Sequence, residues 1–581
     1  MASRVRIARL LRLLPLVLAF GAGAYVVVTL PPAQVVLTAV PPTRPVATGV
    51  VHVHTVRSDG TGSVDRVAAA AERTGLGFVV ITDHGDATRR PDPPAYIRNV
   101  LVIDAVEISA DGGHYVALGL PRAPYPLGGD ARDVVADVAR LGGFGVVAHP
   151  GSPKDALRWH DWAAPFDGME WLNGDSEWRD ETWATLGRTL AQYFLRGPEA
   201  LASLLDRPDP VLARWDAITD HRRVFAIAGS DAHARLGLRA NTDPYPSAAF
   251  VRIPSYETAF RALSIAVDLG APLTRDAARD ATAVLAALRA GHASSIVTGM
   301  ATPGRLEFTA ASGAYHARAG DLLAIDGPIE LRARVDGPPG TELVLLRRGR
   351  PVASASAPDL QFTAPPERGA YRVEARVPGA PGSPAVPWIV SNPIYAGITS
   401  LTDVLPAHRD GVPVRTLYAD GGADAWHAET SAGSVAAIET TPAIGGRQLM
   451  FRWGLAGGVP QGQFAAAVLP ISGGLLPANR ILFRARASQP MRLSVQVRAG
   501  GAGAGARWRR SVFLDEAPRD VTVWLDEIAP VGEAGRYRPD LSTIASLLFV
   551  VDTVHARPGS NGTVFLDDIR LEQPAPATSG R

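Results

Sequence analysis

Five short apolar runs in the first half of the chain each lead into a histidine or a carboxylate. Val50-Val51 leads into His52-Val53-His54, Phe78-Val79-Val80-Ile81-Thr82 into Asp83-His84, and Val100 to Val106 into Glu107. Phe144 to Ala148 leads into His149-Pro150, and Val224 to Ser230 into Asp231-Ala232-His233. Unbroken apolar runs mark strands buried on both faces, as in a parallel sheet covered by helices. Such strands deliver the residues at their C-terminal ends to one mouth, where barrel enzymes place their chemistry. His52 and His54 stand at i, i+2 and so share one strand face, while the valines turn into a core. Imidazole nitrogens and carboxylate oxygens are ligands for divalent ions. A core strand followed by a polar loop explains any one of these runs, but not five that end alike.

At 581 residues the chain is too long for one ordinary domain, and its length suggests three or four. Its 58 basic and 57 acidic residues leave a net charge of +1, so no global field favours nucleic acid or an acidic partner. There is no cysteine, which excludes disulfides and sulfur-ligated zinc or iron–sulfur centres. Any metal must be held by histidine and carboxylate.

Arg4, Arg6, Arg9 and Arg12 precede Leu13 to Leu30, a stretch without a charge. As a helix it would reach about 27 Å, close to the thickness of a bilayer core. Arginines before it and none soon after predict a cytoplasmic segment 1–12, a transmembrane anchor 13–30 and a body outside the cytoplasm, periplasmic or extracellular. Ala22-Gly23-Ala24 offers the alternative of a cleaved signal peptide and a secreted body. Residues 31–47 read as a Pro-rich stalk.

From 48 to 299 strand-like runs alternate with helix-like ones, which reads as a β/α barrel. Helices are expected at Ser63–Thr74 (capped by Ser63), Ala131–Leu141, Asp180–Leu195, Tyr256–Leu269 and Ala281–Ala290. From 300 to 396 short alternating strands between Pro and Gly turns read as a small Ig-like β-sandwich. Residues 397–575 continue in the same manner, with 576–581 as a tail, and the closing Leu566-Asp567-Asp568-Ile569 resembles the last strand of jelly-roll carbohydrate-binding modules. That resemblance implies glycan contact, with Trp508 and Trp524 as candidate stacking residues and core packing as their alternative role.

The ordered set His52-x-His54, Asp59-Gly60, Thr82-Asp83-His84, Glu107, His114, Ala148-His149-Pro150 and Ser230-Asp231-Ala232-His233 resembles the polymerase-and-histidinol-phosphatase (PHP) family, and within it the exported carbaryl-hydrolase-like subgroup. The resemblance implies a distorted (β/α)7 barrel with two or three divalent ions. It implies one ion on His52, His54, Glu107 and Asp231, and a second on Glu107, His114 and His149. A third would take Asp59, His84 and His233. Glu107, Asp231 and His233 would be catalytic, with Asp83, Asn173 and Arg235 behind the ligands or against substrate. Histidine and carboxylate ligands suit Zn²⁺, Mn²⁺ or Fe²⁺. The expected activity is hydrolysis of a small-molecule or envelope-derived phosphate ester by a metal-bridging hydroxide, with a carbamate, ester or amide as alternative substrates. A second alternative, of another class, is a catalytically silent, membrane-tethered glycan-binding protein.

Overall fold

The computed structural model of the protein describes residues 17–38, 43–235, 253–398, 411–443, 446–458, 462–500, 505–532 and 538–575. The chain divides into two compact units, one of residues 1–85, 90–121 and 134–403, the other of 86–89, 122–133 and 404–581.

Up to residue 296 the elements that matter for function are β1 (Val46–Val50), α1 (Val64–Arg73), β2 (Phe78–Ile81), β3 (Val100–Asp104), β4 (Val106–Ala110), β5 (Gly113–Leu118), α2 (Ala131–Arg140), β6 (Phe144–Ala148), β7 (Gly168–Asn173), α3 (Trp183–Ala202), α4 (Asp209–Thr219), β8 (Phe225–Gly229), α5 (Tyr256–Ala262), β9 (Ser264–Asp268), α6 (Ala277–Arg289) and β10 (Ala293–Ile296). Ser63 caps α1, its side chain accepting from the Arg66 N–H. The helix stops at Thr74, and Gly75 follows in the left-handed conformation that favours glycine. In α3 the backbone kinks at Arg196, two residues before Pro198, which has no N–H to give the helix.

Two expectations for helices fail in instructive ways. Tyr256–Leu269 is helical only to Ala262, because residues 264–268 form β9, paired antiparallel with both β1 and β10. A central place between two strands overrides the local pattern. Helix α4, over 209–219, was not expected, and its Pro208 N-cap offers no side-chain acceptor as a signal.

The expectation of a transmembrane helix followed by a closed (β/α)7 barrel is corrected here. The strands up to residue 296 do not form one closed ladder. Five make a sheet in the order β8-β7-β6-β5-β4, in which β4-β5 and β5-β6 are antiparallel. The others enter a twelve-stranded sheet that runs through β10, β9, β1, β2 and β3. Isolated bridges, Val53 to Ala232 and His84 to Glu107, link the two sheets, together with backbone bonds such as that from the Ser230 N–H to the Val51 carbonyl. The larger sheet does not end at residue 299, since β10 pairs antiparallel with Ile389–Ser391. Among the described residues the helix at the N-terminal end covers 17–28. No helix there is long and apolar enough to cross a membrane. The arginine cluster and residues 13–16 lie outside the described residues. Placement of the body beyond a membrane by such an anchor is therefore withdrawn. The expected stalk is also packed: Val35-Val36 pairs with Ala301-Thr302, and the Gln34 side chain donates to the Thr298 carbonyl at 2.7 Å.

Residues 306–396 form two facing layers around Phe308, Leu331, Leu343, Tyr371, Val373 and Trp388. They belong to the same unit as the strands above. Asn392 grips β8 by accepting from the Ala226 N–H at 2.6 Å and donating to the Ala226 and Ala293 carbonyls. Beside it, Arg372 reaches both carboxylate oxygens of Asp216 on α4, at 2.9 and 3.0 Å, and Glu374 at 2.5 Å. Glu374 also accepts from Arg207 and Arg376, at 2.7 and 2.6 Å.

The second unit contains a sandwich of two six-stranded sheets over a core that includes Trp426, Phe451, Trp453, Phe483 and Phe549. Trp508 lies in that core, whereas Trp524 is half-buried with the Arg480 guanidinium 4.9 Å from its ring centre. His555 is buried in this unit, its Nε2 only 3.0 Å from where a Cβ on Gly129 would stand. Burial, with Arg492 and Arg509 nearby, pulls His555 down to about 3. An unfolded histidine titrates near 6.5, so below that pH the unfolded chain takes up a proton that the folded chain refuses. The stability this residue contributes is complete above about pH 6.5 and drains away as the pH falls toward 3. Between pH 7 and pH 5 the loss is about 2 kcal/mol. His555→Gln should remove that part of the acid sensitivity in urea unfolding followed at both pH values. An unchanged difference between the two midpoints would show that His555 is not its source.

Candidate metal centre

The ends of β1, β2 and β6, the start of β4, the body of β5 and the turn after β8 bring nine side chains together. His52, His54 and Glu107 are 0–1% exposed and form the floor; Asp59, His84 and His233, with side chains 13–15% exposed, form the mouth. Glu107 divides the cluster. Its Oε2 lies 3.1 Å from His52 Nε2, 3.2 Å from His54 Nε2 and 3.3 Å from His84 Nδ1. Its Oε1 lies 2.7 Å from His114 Nδ1 and 3.0 Å from His149 Nε2. Asp231 Oδ1 stands 3.3 Å from both His52 Nε2 and His54 Nε2. At the mouth, Asp59 faces His233 Nε2 at 3.1 Å, His54 Nδ1 at 3.4 Å and His84 Nε2 at 3.8 Å.

Four overlapping groups of these residues place one ligand atom each within 4.8 Å of one another: His52, His54 and Glu107; His52, His149 and Asp231; His84, Glu107 and His114; and His54, Asp59, His84 and His233. The donors fit divalent ions on a further ground. His54 Nε2 is buried and makes no hydrogen bond, although two carboxylate oxygens lie just over 3 Å away. Atoms so placed share a space that a cation can fill. His149 Nδ1 and His233 Nδ1 each face a backbone carbonyl, of Leu157 and Asp231, at 3.1 and 2.9 Å. A carbonyl only accepts, so both rings carry hydrogen on Nδ1 and keep the Nε2 lone pair for an ion.

The backbone is strained where it delivers ligands. His52, His149 and Asp231 have φ of 69°, 30° and 47°, a region that side-chain-bearing residues adopt at a cost of roughly 1–3 kcal/mol each. Gly60 lets its loop close on the His54 carbonyl, which a Cβ there would overlap.

Electrostatics couple the rings to the acids. Burial opposes charge on His52, yet Asp231, Glu170 and Glu107 raise it well above the usual imidazole range. Burial likewise opposes charge on His54, and the nearby Asp231 and Glu107 carboxylates push it up to about 10. Burial pulls His84 down to about 4 against the pull of Glu107, with His54 and His114 adding to the fall. Burial works to raise Glu107 and Asp231, but the surrounding imidazoles hold both well below the carboxylate range. Protons on the rings thus balance the acids, and a divalent ion taking their place would release them.

Asp83, Asn173 and Arg235 do not point at the cluster's centre. Asp83 accepts from Thr55 N, Thr55 Oγ1 and Ser58 Oγ at 2.6–2.7 Å and fixes the loop after His54. Arg235 donates to the Asp59 carbonyl at 3.0 Å. Asn173 donates to Glu170 at 2.7 Å and accepts from the backbone of Asp175 and Ser176. Glu170 is the residue that sequence reasoning passed over. It is 1% exposed on β7, with Oε1 2.7 Å from His52 Nδ1 and Oε2 accepting from the His149 N–H at 2.7 Å. A carboxylate in the middle of the apolar run Gly168-Met169-Glu170-Trp171-Leu172 was its signal, since a buried acid needs partners.

No protein-family profile and no curated protein matches the chain. Solved structures that resemble part of it include carbohydrate-binding modules. A family 11 module from Clostridium thermocellum, in complex with a β-1,3-1,4-mixed-linked tetrasaccharide, is 14% identical over 27% of this chain and 93% of its own, with a TM-score of 0.23. A family 30 module of a cellulosomal cellulase from the same organism is 13% identical over 27% of this chain and 95% of its own, with a TM-score of 0.21. A module described for specific mannan recognition is 12% identical over 29% of this chain and 99% of its own, with a TM-score of 0.20. The expectation of a hydrolase, whether of phosphate esters or of carbamates, esters and amides, finds no match among family profiles or curated proteins and is not carried forward. The cluster's geometry brings together atoms able to ligate divalent ions.

Proposed function

We propose that the protein binds glycan and carries a built divalent-metal centre, with the ligand set that the resemblance to the PHP family implies. The observation that carries the metal part is the split of Glu107 across two groups of imidazoles, with Asp231 beside His52 and His54 and Asp59 at the mouth. Bound ions would supply cationic positions at the mouth able to take oxygen ligands. Glycan contact is assigned to the outer face of the sheet that holds Arg480–Ala487, Arg519–Trp524 and Asn561–Pro574. There Trp524 stands opposite Arg480, Arg480 pairs with Glu572 at 2.7 Å, and Arg486 lies 3.6 Å over the Phe565 ring. Rings flanked by charged hydrogen-bonding groups suit the apolar faces and hydroxyl rims of sugars. The outer face of the opposite sheet is not open, because Ala466, Val468, Leu548, Val550, Ser494 and Gln496 are buried there.

The test has two arms. Elemental analysis of purified protein should find two or three ions of zinc, manganese or iron per chain, and chelation should lower the unfolding temperature. Saturation a hundredfold above Kd is worth about 2.7 kcal/mol. Mixed-linked β-glucan and mannan, cast into native gels, should retard the protein, and Trp524→Ala with Phe565→Ala should weaken retardation about tenfold or more. An ion-free, chelator-indifferent protein would end the metal reading, and unretarded migration in both gels would end the glycan reading.

A further inference from the structure

We infer that Glu170 is the positioning residue that sets the affinity of the two ion positions on either side of Glu107. The inference rests on the metal reading above and goes beyond it. One Glu170 oxygen accepts a hydrogen bond from His52 Nδ1, which fixes the ring so that its Nε2 faces Glu107 Oε2 and Asp231 Oδ1. The other oxygen accepts from the backbone N–H of His149, whose φ of 30° needs such a restraint, and from the Asn173 amide. His52 faces the Oε2 side of Glu107 and His149 the Oε1 side. A single carboxylate therefore braces one ligand on each side, and neither of its oxygens enters the cluster as a ligand.

Two features of the fold serve this one side chain. Between β7 and β8 the register slips, Ile227 facing Glu170 and Ala228 facing Leu172, so Trp171 is an extra residue. A bulge of this kind re-aims neighbouring side chains. Across from it, Gly229 has no Cβ, and one placed there would overlap the Glu170 carboxylate. The mouth group of Asp59, His84 and His233, gathered around Asp59, supplies the internal control.

Glu170→Gln keeps the size of the side chain but offers one acceptor where His52, His149 and Asn173 require two. Co²⁺ titration of the full chain, stripped of metal, reads the result by calorimetry and by the visible absorption of the bound ion. The expected outcome is a loss of about 10- to 100-fold in affinity at the two positions beside Glu107, with a changed absorption band, while the mouth position keeps its affinity. Gly229→Ala should reproduce the pattern by displacing the carboxylate, and Glu170→Asp should fall between Gln and the parent. An unaltered isotherm and spectrum for Glu170→Gln would overturn the inference. Equal weakening of every position, together with a lowered unfolding temperature, would also overturn it and make Glu170 a residue of the fold alone. Failure of the parent protein to take up Co²⁺ would overturn both this inference and the metal reading, whereas loss confined to the variants concerns Glu170 only.

Discussion

Glu107→Ala should strip the protein of the ions on both sides of that carboxylate, leaving at most the mouth position occupied. Glu107 presents one oxygen to His52, His54 and His84 and the other to His114 and His149, so its loss leaves five imidazoles facing a space without its charge. The effect has two readable parts. Equilibrium dialysis against Mn²⁺ should show fewer ions per chain, and the metal-dependent rise in unfolding temperature should shrink with them. In chelated protein the variant should lose roughly 3–5 kcal/mol, the scale on which breaking a buried charge pair by removing one partner is felt. A variant that binds as many ions as the parent, at the same affinity, would remove Glu107 from its central place.

The second large effect is expected far from the metals, at Glu374. It is fully buried, and three guanidiniums, of Arg372, Arg207 and Arg376, converge on it at 2.5–2.7 Å. Burial works to raise its carboxyl, but Arg372 and Arg207 hold it down at about 2. Glu374→Ala leaves Arg372, 2% exposed, with Asp216 as its remaining acid. Destabilisation of roughly 3–5 kcal/mol is expected. Chemical denaturation of the metal-free protein measures it without interference from ion binding. A change below about 1 kcal/mol would mean that water or rearrangement replaces the lost carboxylate. Replacing Arg372, Glu374 and Asp216 together with apolar residues of similar volume should be far milder, because the penalty lies in orphaned charge.

Much of the cluster was legible because its signal is local. A ligand that follows an apolar strand is visible as a run and its last letter, and His52, His84, Glu107, His149 and Asp231 all stand so. Helix α1 was legible through Ser63 and its apolar stripe, which the structure buries at Val67, Ala68 and Ala71. What escaped depends on partners distant in sequence. Residues 264–268 become a strand because β1 lies on one side and β10 on the other, and nothing in the local pattern states this. Closure of one barrel was inferred from alternation, which is silent about antiparallel neighbours such as β4, β5 and β6. Glu170 was missed because its partners, His52 and the His149 backbone, lie 118 and 21 positions away. Hydropathy at 13–30 speaks of solvent preference, and among the described residues no helix is long and apolar enough to cross a membrane.

The second unit is discontinuous along the chain, and that bears on how the protein can be made. Residues 86–89 and 122–133 leave the ribosome about 270 positions before residue 404 begins the remainder of their unit. At 5–20 residues per second they wait on the order of fifteen to fifty seconds for their partners. Asp133 spends that interval without Arg492 and Arg510, which later approach it at 3.0 and 2.6 Å. Pairings of such long sequence separation are slow to form and leave surface open to proteases and to other nascent chains. Any shortened version that stops before residue 404 makes that waiting state permanent for a segment that begins two residues after His84.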